Sequence, residues 1–475
     1  MAVPVINIAG MRQWETATWA AGQTETEVIR RVGLAVGLRA AELTLPNDPI
    51  LILAGKGHNG DDARAAAPCL AGRQVKLLNL LAPETDLPGL ISALREEPAL
   101  IIDGLFGIGI DRPLAEPWQK VVATINGADI PVLAIDVPSG LNADTGEVFG
   151  AAIKAALTLT VGAPKTGLLA TAAVPYVGRL EVTGEVGLVP CPLKSEIVWT
   201  EVADFRRLPP RRPVAAHKGS FGHVVILAGS LGYHGAAVLA TRGAQRAQPG
   251  LTTVFTQERT YLPIAAQLQS AMVGIWRPDS ELPSNLSGLL VGPGLAGPDV
   301  DSALRPSFQR WWRDLEQPMV VDASALDFLS SGRFRNGACR VITPHPGEAA
   351  RLLNSTPQKV QADRVAALRE ISRGYGNCWV VLKGHQTLIG QSVGPIYVSS
   401  SGNPHLAQGG SGDLLSGFIT GLLAQPALRA DIALALRYAV WQHGAAADKL
   451  QKTRANWIIE DLANEIGTAH INPGR

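Results

Sequence analysis

Residues 409–423 read GGSGDLLSGFITGLL. Gly409, Gly410 and Gly412 let successive backbone N–H groups converge with no Cβ in the way, and the apolar run that follows has helical spacing. A turn of this kind at the positive end of a helix dipole can hold an anion between the amides of Gly409, Gly410, Ser411 and Gly412. Asp413 falls in the first turn of that helix. A carboxylate there repels a resting phosphate but can take a proton from a hydroxyl that attacks one. The alternative is a tight turn with a capping aspartate.

The rest of the second half repeats one pattern, an apolar strand ending in polar or glycine residues. HVVILAG (223–229) leads to an Ala-rich helix beginning near His234, and LLVGPGL (289–295) ends in a Gly-Pro-Gly turn. PMVVDASAL (318–326) ends in Asp322, and VITPHPGEAARLL (341–353) and WVVLKGHQTLIG (379–390) follow the same plan. Lys383 reads either as an ordinary strand-end lysine or as a cation for a nucleotide phosphate. Glu348 either complements a helix dipole or faces a metal. His345, between two prolines, reads as a turn residue or a site residue. WIIEDLANEIG (457–467) predicts a closing helix with Ile458, Ile459, Leu462 and Ile466 on its apolar face.

The first half has the same grammar. A helix is expected over 24–42, then strands at ILILAG (50–55), VKLLNL (75–80), ALIIDG (99–104) and PVLAID (131–136). Strands alternating with helices predict an α/β fold with parallel sheets. Asn59, Asp62, Asp103, Asp136 and Ser139 collect at strand ends, where they read as hard oxygen ligands for a cation or as ordinary turn residues.

With 475 residues, 46% hydrophobic, 17% charged and 50 glycines, the chain is too long for one core and reads as two compact, loop-rich domains. RRLPPRRPVAAHKG (206–219) has the composition of a linker, and no internal repeat is evident. A net charge of +1 gives no footprint for nucleic acid or an anionic membrane, so the expected partner is a small molecule. Cys69, Cys191, Cys339 and Cys378 form no C-x-x-C pair and are expected as buried thiols. No membrane span or signal peptide is read, and the expected location is cytoplasmic.

GKGHNGDD (55–62), DGLFGIGIDRP (103–113) and IDVPSGLNADTG (135–146) resemble the three motifs of the NAD(P)H-hydrate epimerase domain. The resemblance implies a Rossmann-like three-layer sandwich over 1–209. It puts His58, Asn59, Gly60, Asp61, Asp62, Gly107, Ile108, Gly109, Ile110, Asp111, Arg112, Pro113 and Asp136 at hydrate-binding positions, with Asp136 moving the proton during epimerisation. It puts Asn59, Asp103 and Ser139 at potassium positions. The chain departs from the family pattern at His58, Asp61 and Ala63, where the family has Asn, Gly and Gly, and at Arg30, where it has Glu.

HKGSFG (217–222), GPGL (292–295), TPHPGE (343–348), LKGHQT (382–387), GNPHLAQGGSGD (402–413) and WQHGAAAD (441–448) resemble, in order, the ADP- or ATP-dependent NAD(P)H-hydrate dehydratase of the ribokinase-like superfamily. This implies a ribokinase-like α/β domain over 210–475, with NAD(P)H-hydrate and an adenine nucleotide as substrates, Mg²⁺ as cofactor beside the K⁺ of the first domain, and a homo-oligomer. Ala236, Gly294, His345 and Asp413 match hydrate-site positions. Lys383, Gly384, His385, Gln386, Thr387 and Gly412 match nucleotide positions. The implied function is epimerisation of the R and S hydrates with dehydration of the S form. A dehydratase carrying a binding module without catalysis, and a ribokinase-like small-molecule kinase, are the rival readings.

Overall fold

The computed structural model describes residues 3–335 and 337–469, in two compact units, Val3–Trp199 and the chain from Thr200 on. In the first unit the strands are β1 (Pro49–Ala54), β2 (Gln74–Asn79), β3 (Leu100–Gly104), β4 (Val132–Ile135), β5 (Leu157–Val161) and β6 (Arg179–Thr183). They form one sheet in the order β2-β1-β3-β4-β5-β6, every pair parallel. The expected strands are all present, and β5 and β6 are additional. The run LTLTV that makes β5 alternates Thr with aliphatic residues, so it lacks the continuous apolar signal of the others, yet every residue in it is buried.

Period-two alternation makes three layers of this sheet. Ile50, Ile52 and Ala54 face one side and pack with Val28, Val32, Val36, Ala63 and Ala66 of the helices Glu25–Glu42 and His58–Ala66. Leu51 and Leu53 face the other side, against Leu90, Val121, Val122 and Ile125 of the helices Pro83–Leu94 and Glu116–Asn126. Thr24 caps the first of these helices by accepting from the Glu27 N–H at 3.3 Å, where the sequence predicts its start. The chain leaves β1 for β2 on one side and returns to β3 on the other. The connections that leave the carboxyl ends of β1 and β3 therefore run to opposite faces of the sheet, and such a switch point is where open α/β sheets bind ligands.

The second unit contains β7 (His223–Leu227), β8 (Leu251–Thr256), β9 (Met272–Ile275), β10 (Gly288–Val291), β11 (Met319–Val321), β12 (Arg340–Ile342), β13 (Trp379–Leu382), β14 (Leu388–Gly390) and β15 (Ile396–Val398). Their order is β15-β14-β13-β12-β11-β10-β7-β8-β9, parallel except where β14 pairs antiparallel with β13 and β15. Strand order reverses between β7 and β10. The glycine turns after those two strands face each other, Gly229 N–H donating to Pro293 O at 2.9 Å and Ser230 Oγ to Gly294 O at 2.6 Å.

The glycine-rich turn does enter a helix, Ser411–Leu423, with Gly410 as its N-cap at φ +94°. That helix lies against the helix His234–Arg246 at backbone distance. A Cβ on Gly417 would stand 1.9 Å from Ala240 O, on Gly421 2.5 Å from Ala244 O, and on Gly243 2.1 Å from Leu414 O. The glycines spaced along both helices are what allow the crossing.

Three smaller expectations are corrected. Ile458 is 57% exposed because it is the N-cap of the final helix, Ile459–Glu465; the buried face is Ile459, Leu462, Ala463 and Ile466. Cys339 and Cys378 are buried, but Cys69 and Cys191 are only half-buried. In the segment 206–219 the arginines are exposed while Leu208 is buried in the second unit's core.

Candidate active sites

In the first unit a cavity of about 830 Å³ opens at the carboxyl ends of β1, β3 and β4. Of the sequence-predicted residues, His58, Asn59, Asp62, the segment 107–113 and Asp136 line it. Gly60 and Asp61 are not among the lining residues. Gly60 packs on the preceding turn, where a Cβ would meet Gly55 O at 2.1 Å, and Asp61 pairs with Arg64 at 2.8 Å.

The cavity also gathers acids that lie far apart in sequence. Asp62 is pushed up to about 8, by burial first and then by the charges of Asp136, Asp61 and Glu15, so at neutral pH it holds its proton. Glu15 is raised by burial and by Asp136. Asp136 sits just past β4 at φ +61°, in the left-handed region, and its Oδ1 accepts from Thr160 Oγ1 at 3.0 Å and Val161 N–H at 2.9 Å. The Lys165 ammonium donates to the same oxygen.

Asn59, Asp103 and Ser139 meet around the Phe106 peptide. Ser139 Oγ donates to Asp103 Oδ1 at 2.7 Å, Ser139 N–H donates to Asp103 Oδ2 at 2.9 Å, and Asn59 Nδ2 donates to Phe106 O at 2.8 Å. Asp103 is fully buried with no cationic side chain among its partners in the described residues, and burial raises its pKa. A buried carboxylate beside the neutral oxygens of Ser139 and Phe106 is a hard-oxygen set that fits a weakly polarising cation such as potassium.

In the second unit Asp413 stands in the first turn of its helix, as the sequence predicts, and is pushed up to about 7 by burial and by Asp322, against the pull of Lys383. Lys383 Nζ donates to Asp322 Oδ1 at 2.8 Å and lies 3.8 Å from Glu348 Oε2. Burial pulls Lys383 down, but Asp322, Glu348 and Asp413 together outweigh it and its pKa is raised. A Cβ on Gly412 would stand 3.1 Å from Lys383 Nζ, so the helix start, the lysine and its carboxylates form one cluster. Within the proposed anion hole the Ser411 N–H already donates to Gln408 O at 3.3 Å.

Ala236 and Gly294 are neighbours: a Cβ on Gly294, at φ +66°, would stand 2.9 Å from the Ala236 Cβ. His345 is the N-cap of the helix Pro346–Leu352. Its Nδ1 accepts from the N–H groups of Gly347 at 3.0 Å and Glu348 at 3.3 Å, which leaves the proton on Nε2. The segment 383–387 is held from below by Arg364, whose guanidinium donates to the carbonyls of His385, Gln386 and Leu382.

The profile described as NAD(P)H-hydrate dehydratase matches residues 224–469, and that described as YjeF-related protein N-terminus matches residues 20–167. The bifunctional NAD(P)H-hydrate repair enzyme Nnr of Coxiella burnetii is 34% identical, covering 92% of this chain and 93% of its own. That of Gloeobacter violaceus is 34% identical over 94% of each. The chain belongs to the bifunctional NAD(P)H-hydrate repair enzyme family. Among solved structures, a ribokinase-like superfamily protein from Enterococcus faecalis V583 superposes with a TM-score of 0.50 at 25% identity, covering 59% of this chain and 97% of that one.

Within this repair-enzyme family the altered loop of the first unit is structurally benign. His58, Asp61 and Ala63 all lie in the helix His58–Ala66 and none has positive φ, so no glycine is needed at those positions. His58 Nε2 sits 3.0 Å from Glu25 Oε1, and Arg30 is an exposed partner of Glu27. Sequence reasoning missed Glu15, Lys165 and Arg364 altogether. Lys165 had a usable signal, the Val-Gly-Ala-Pro-Lys turn after β5, but it depended on recognising β5 first.

Proposed function

We propose that the chain repairs hydrated nicotinamide dinucleotides in two steps, epimerising the R and S hydrates in the first unit and dehydrating the S form in the second. The observation that carries the dehydratase assignment is Asp413, buried at a glycine-capped helix start beside Lys383, Asp322 and Glu348. Hydroxide is a poor leaving group from C6 of the hydrate. Asp413 takes the hydroxyl proton as that oxygen attacks the terminal phosphoryl of ADP or ATP. The amides of Gly409, Gly410 and Gly412, with Lys383, stabilise charge on the transferring group. Phosphate then leaves C6, C5 loses a proton, and NAD(P)H is restored.

Mg²⁺ supplies charge neutralisation on the nucleotide phosphates. The described residues contain no group of three or more His, Cys, Asp or Glu placed to hold a metal. Ala236, Gly294 and His345 border the hydrate, and Lys383, Gly384, His385, Gln386 and Thr387 the nucleotide.

In the first unit the C6–OH bond must break and re-form from the opposite face. Asp62, protonated at neutral pH, gives its proton to the departing hydroxyl, which leaves as water while the ring nitrogen N1 shares its electron pair with C6. Asp136 takes the proton of the water that re-adds, and return of that proton to Asp62 restores both groups for the next turnover. Potassium, held by Asn59, Asp103 and Ser139, would fix the Phe106 turn that borders the cavity. The same reading makes the chain a homo-oligomer and places it in the cytoplasm, the second in keeping with its free cysteines.

The test is recovery of NADH absorbance from a mixture of R- and S-hydrate with ADP or ATP and Mg²⁺. Recovery of the whole mixture, faster than spontaneous epimerisation, is expected. Recovery of only the S fraction refutes the epimerase, and a stable phosphorylated product identifies a small-molecule kinase instead.

A further inference from the structure

Lys165 is 0% exposed, and its ammonium is fully used. Besides Asp136 Oδ1 it donates to Thr160 Oγ1 at 3.1 Å and Val161 O at 2.8 Å, which accounts for its three N–H groups. Asp136 Oδ1 thus takes hydrogen bonds from the ammonium, the Thr160 hydroxyl and the Val161 amide. Among the described residues, every side-chain hydrogen bond to this carboxylate falls on Oδ1. Oδ2 takes none of them, and Asp136 lines the cavity. The carboxylate itself is 13% exposed, enough for contact with a ligand and too little for free rotation in water.

Such a pair is a costly way to fill a core. Desolvating an ammonium and a carboxylate commonly outweighs their attraction, so an aliphatic pair would stabilise the fold as well or better. The positive φ of Asp136 adds local strain at the same point. Both costs have a use if one carboxylate oxygen must be fixed and the other aimed.

We propose that Lys165 is a positioning residue for epimerisation: from beneath the cavity it fixes Oδ1 of Asp136, so that Oδ2 is held toward the C6 oxygen of the hydrate. This rests on the reading of the cavity as the epimerase site. Lys165 touches neither substrate nor reacting atoms. Asp62 and Glu15 are the acids that feel the charge of Asp136, and Lys165 is the cation bonded to it.

The experiment uses full-length Lys165→Met and Lys165→Arg with purified R-hydrate of NADH, following conversion to the S form by chromatography at several pH values. For Lys165→Met, kcat is expected to fall by about 10²–10⁴-fold with KM little changed. The acid limb of its pH profile is expected about 1–3 pH units higher, since the carboxylate has lost its cation. Lys165→Arg should bring the limb back toward its original position, and dehydration of pure S-hydrate should be unchanged in both. If Lys165→Met fails to fold, Thr160→Val removes another donor from the same oxygen and should lower kcat with the limb again displaced upward.

Wild-type kcat and an unmoved limb in Lys165→Met overturn the proposal, as does a loss of rate with no displacement of the limb in either variant. A wild-type enzyme that converts no R-hydrate overturns the epimerase reading itself.

Discussion

Lys383 Nζ and Asp322 Oδ1 lie 2.8 Å apart, and the helix start that carries Asp413 closes over them at Gly412. The lysine is the cation that lets three acids share this small space. Lys383→Met removes it and leaves Asp322, Glu348 and Asp413 facing one another. Asp413 should then titrate above its present value of about 7, and dehydratase kcat/KM at pH 7 should fall by roughly 10²-fold or more. Initial rates of NADH formation from S-hydrate, measured against pH, check both effects.

Asp413 itself makes a signed prediction. As a base it must be ionised, so kcat/KM for dehydration should rise with pH through about 7 and level off above it. Stability runs the other way. The folded pKa lies above the ordinary 3.8, so the proton favours the folded state; that contribution is complete below pH 3.8 and is lost as pH rises to about 7. Asp413→Asn should therefore abolish turnover yet raise Tm, with the gain larger at pH 8 than at pH 5. Thermal melts at the two pH values decide it.

Gly417 bears the closest contact between the helices His234–Arg246 and Ser411–Leu423. With a Cβ only 1.9 Å from Ala240 O, Gly417→Ala must part the helices, at a cost of about 1–3 kcal/mol or more. Because Ala236 and Asp413 ride on those two helices, dehydratase activity should fall as well. Urea denaturation and S-hydrate turnover give the two readouts.

The loop of the first unit predicts an absence of effect. His58→Asn, Asp61→Gly and Ala63→Gly together should leave epimerisation within about threefold of the parent, since no positive φ awaits the glycines and the larger causes of the raised Asp62 pKa, burial and Asp136, remain. Stability should drop by about 1–2 kcal/mol, because each glycine weakens a helix interior. A large gain in epimerase rate would mean that these residues impair the parent enzyme.

Much of the fold was written in short-range pattern. Apolar runs ending in Gly, Asp or another polar residue marked β1 to β4, β7 and β10 to β13, and the start of the Ser411–Leu423 helix was legible from its glycines. The alternating strand β5 was not, because half-polar residues in a buried strand imitate a surface one until their neighbours are known; β6 is an edge strand with only Leu180 buried, so it carries little core signal. His345 carried two readings in sequence, and its structure shows the cap: both nearby amides point at its ring nitrogen.

By itself the sequence determined the two α/β units, the carboxyl-edge turns, and the placement of Asp136 and Asp413 beside them. These follow from steric and hydrogen-bonding preferences that act within a few residues. Only the tertiary structure decided which groups surround those acids. Lys383 and Asp322 are 61 positions apart, and Lys165 and Asp136 are 29 apart. Strand order brings them together, and strand order is set by how whole layers bury their faces, so the electrostatics of both sites appear only once the sheets are assembled.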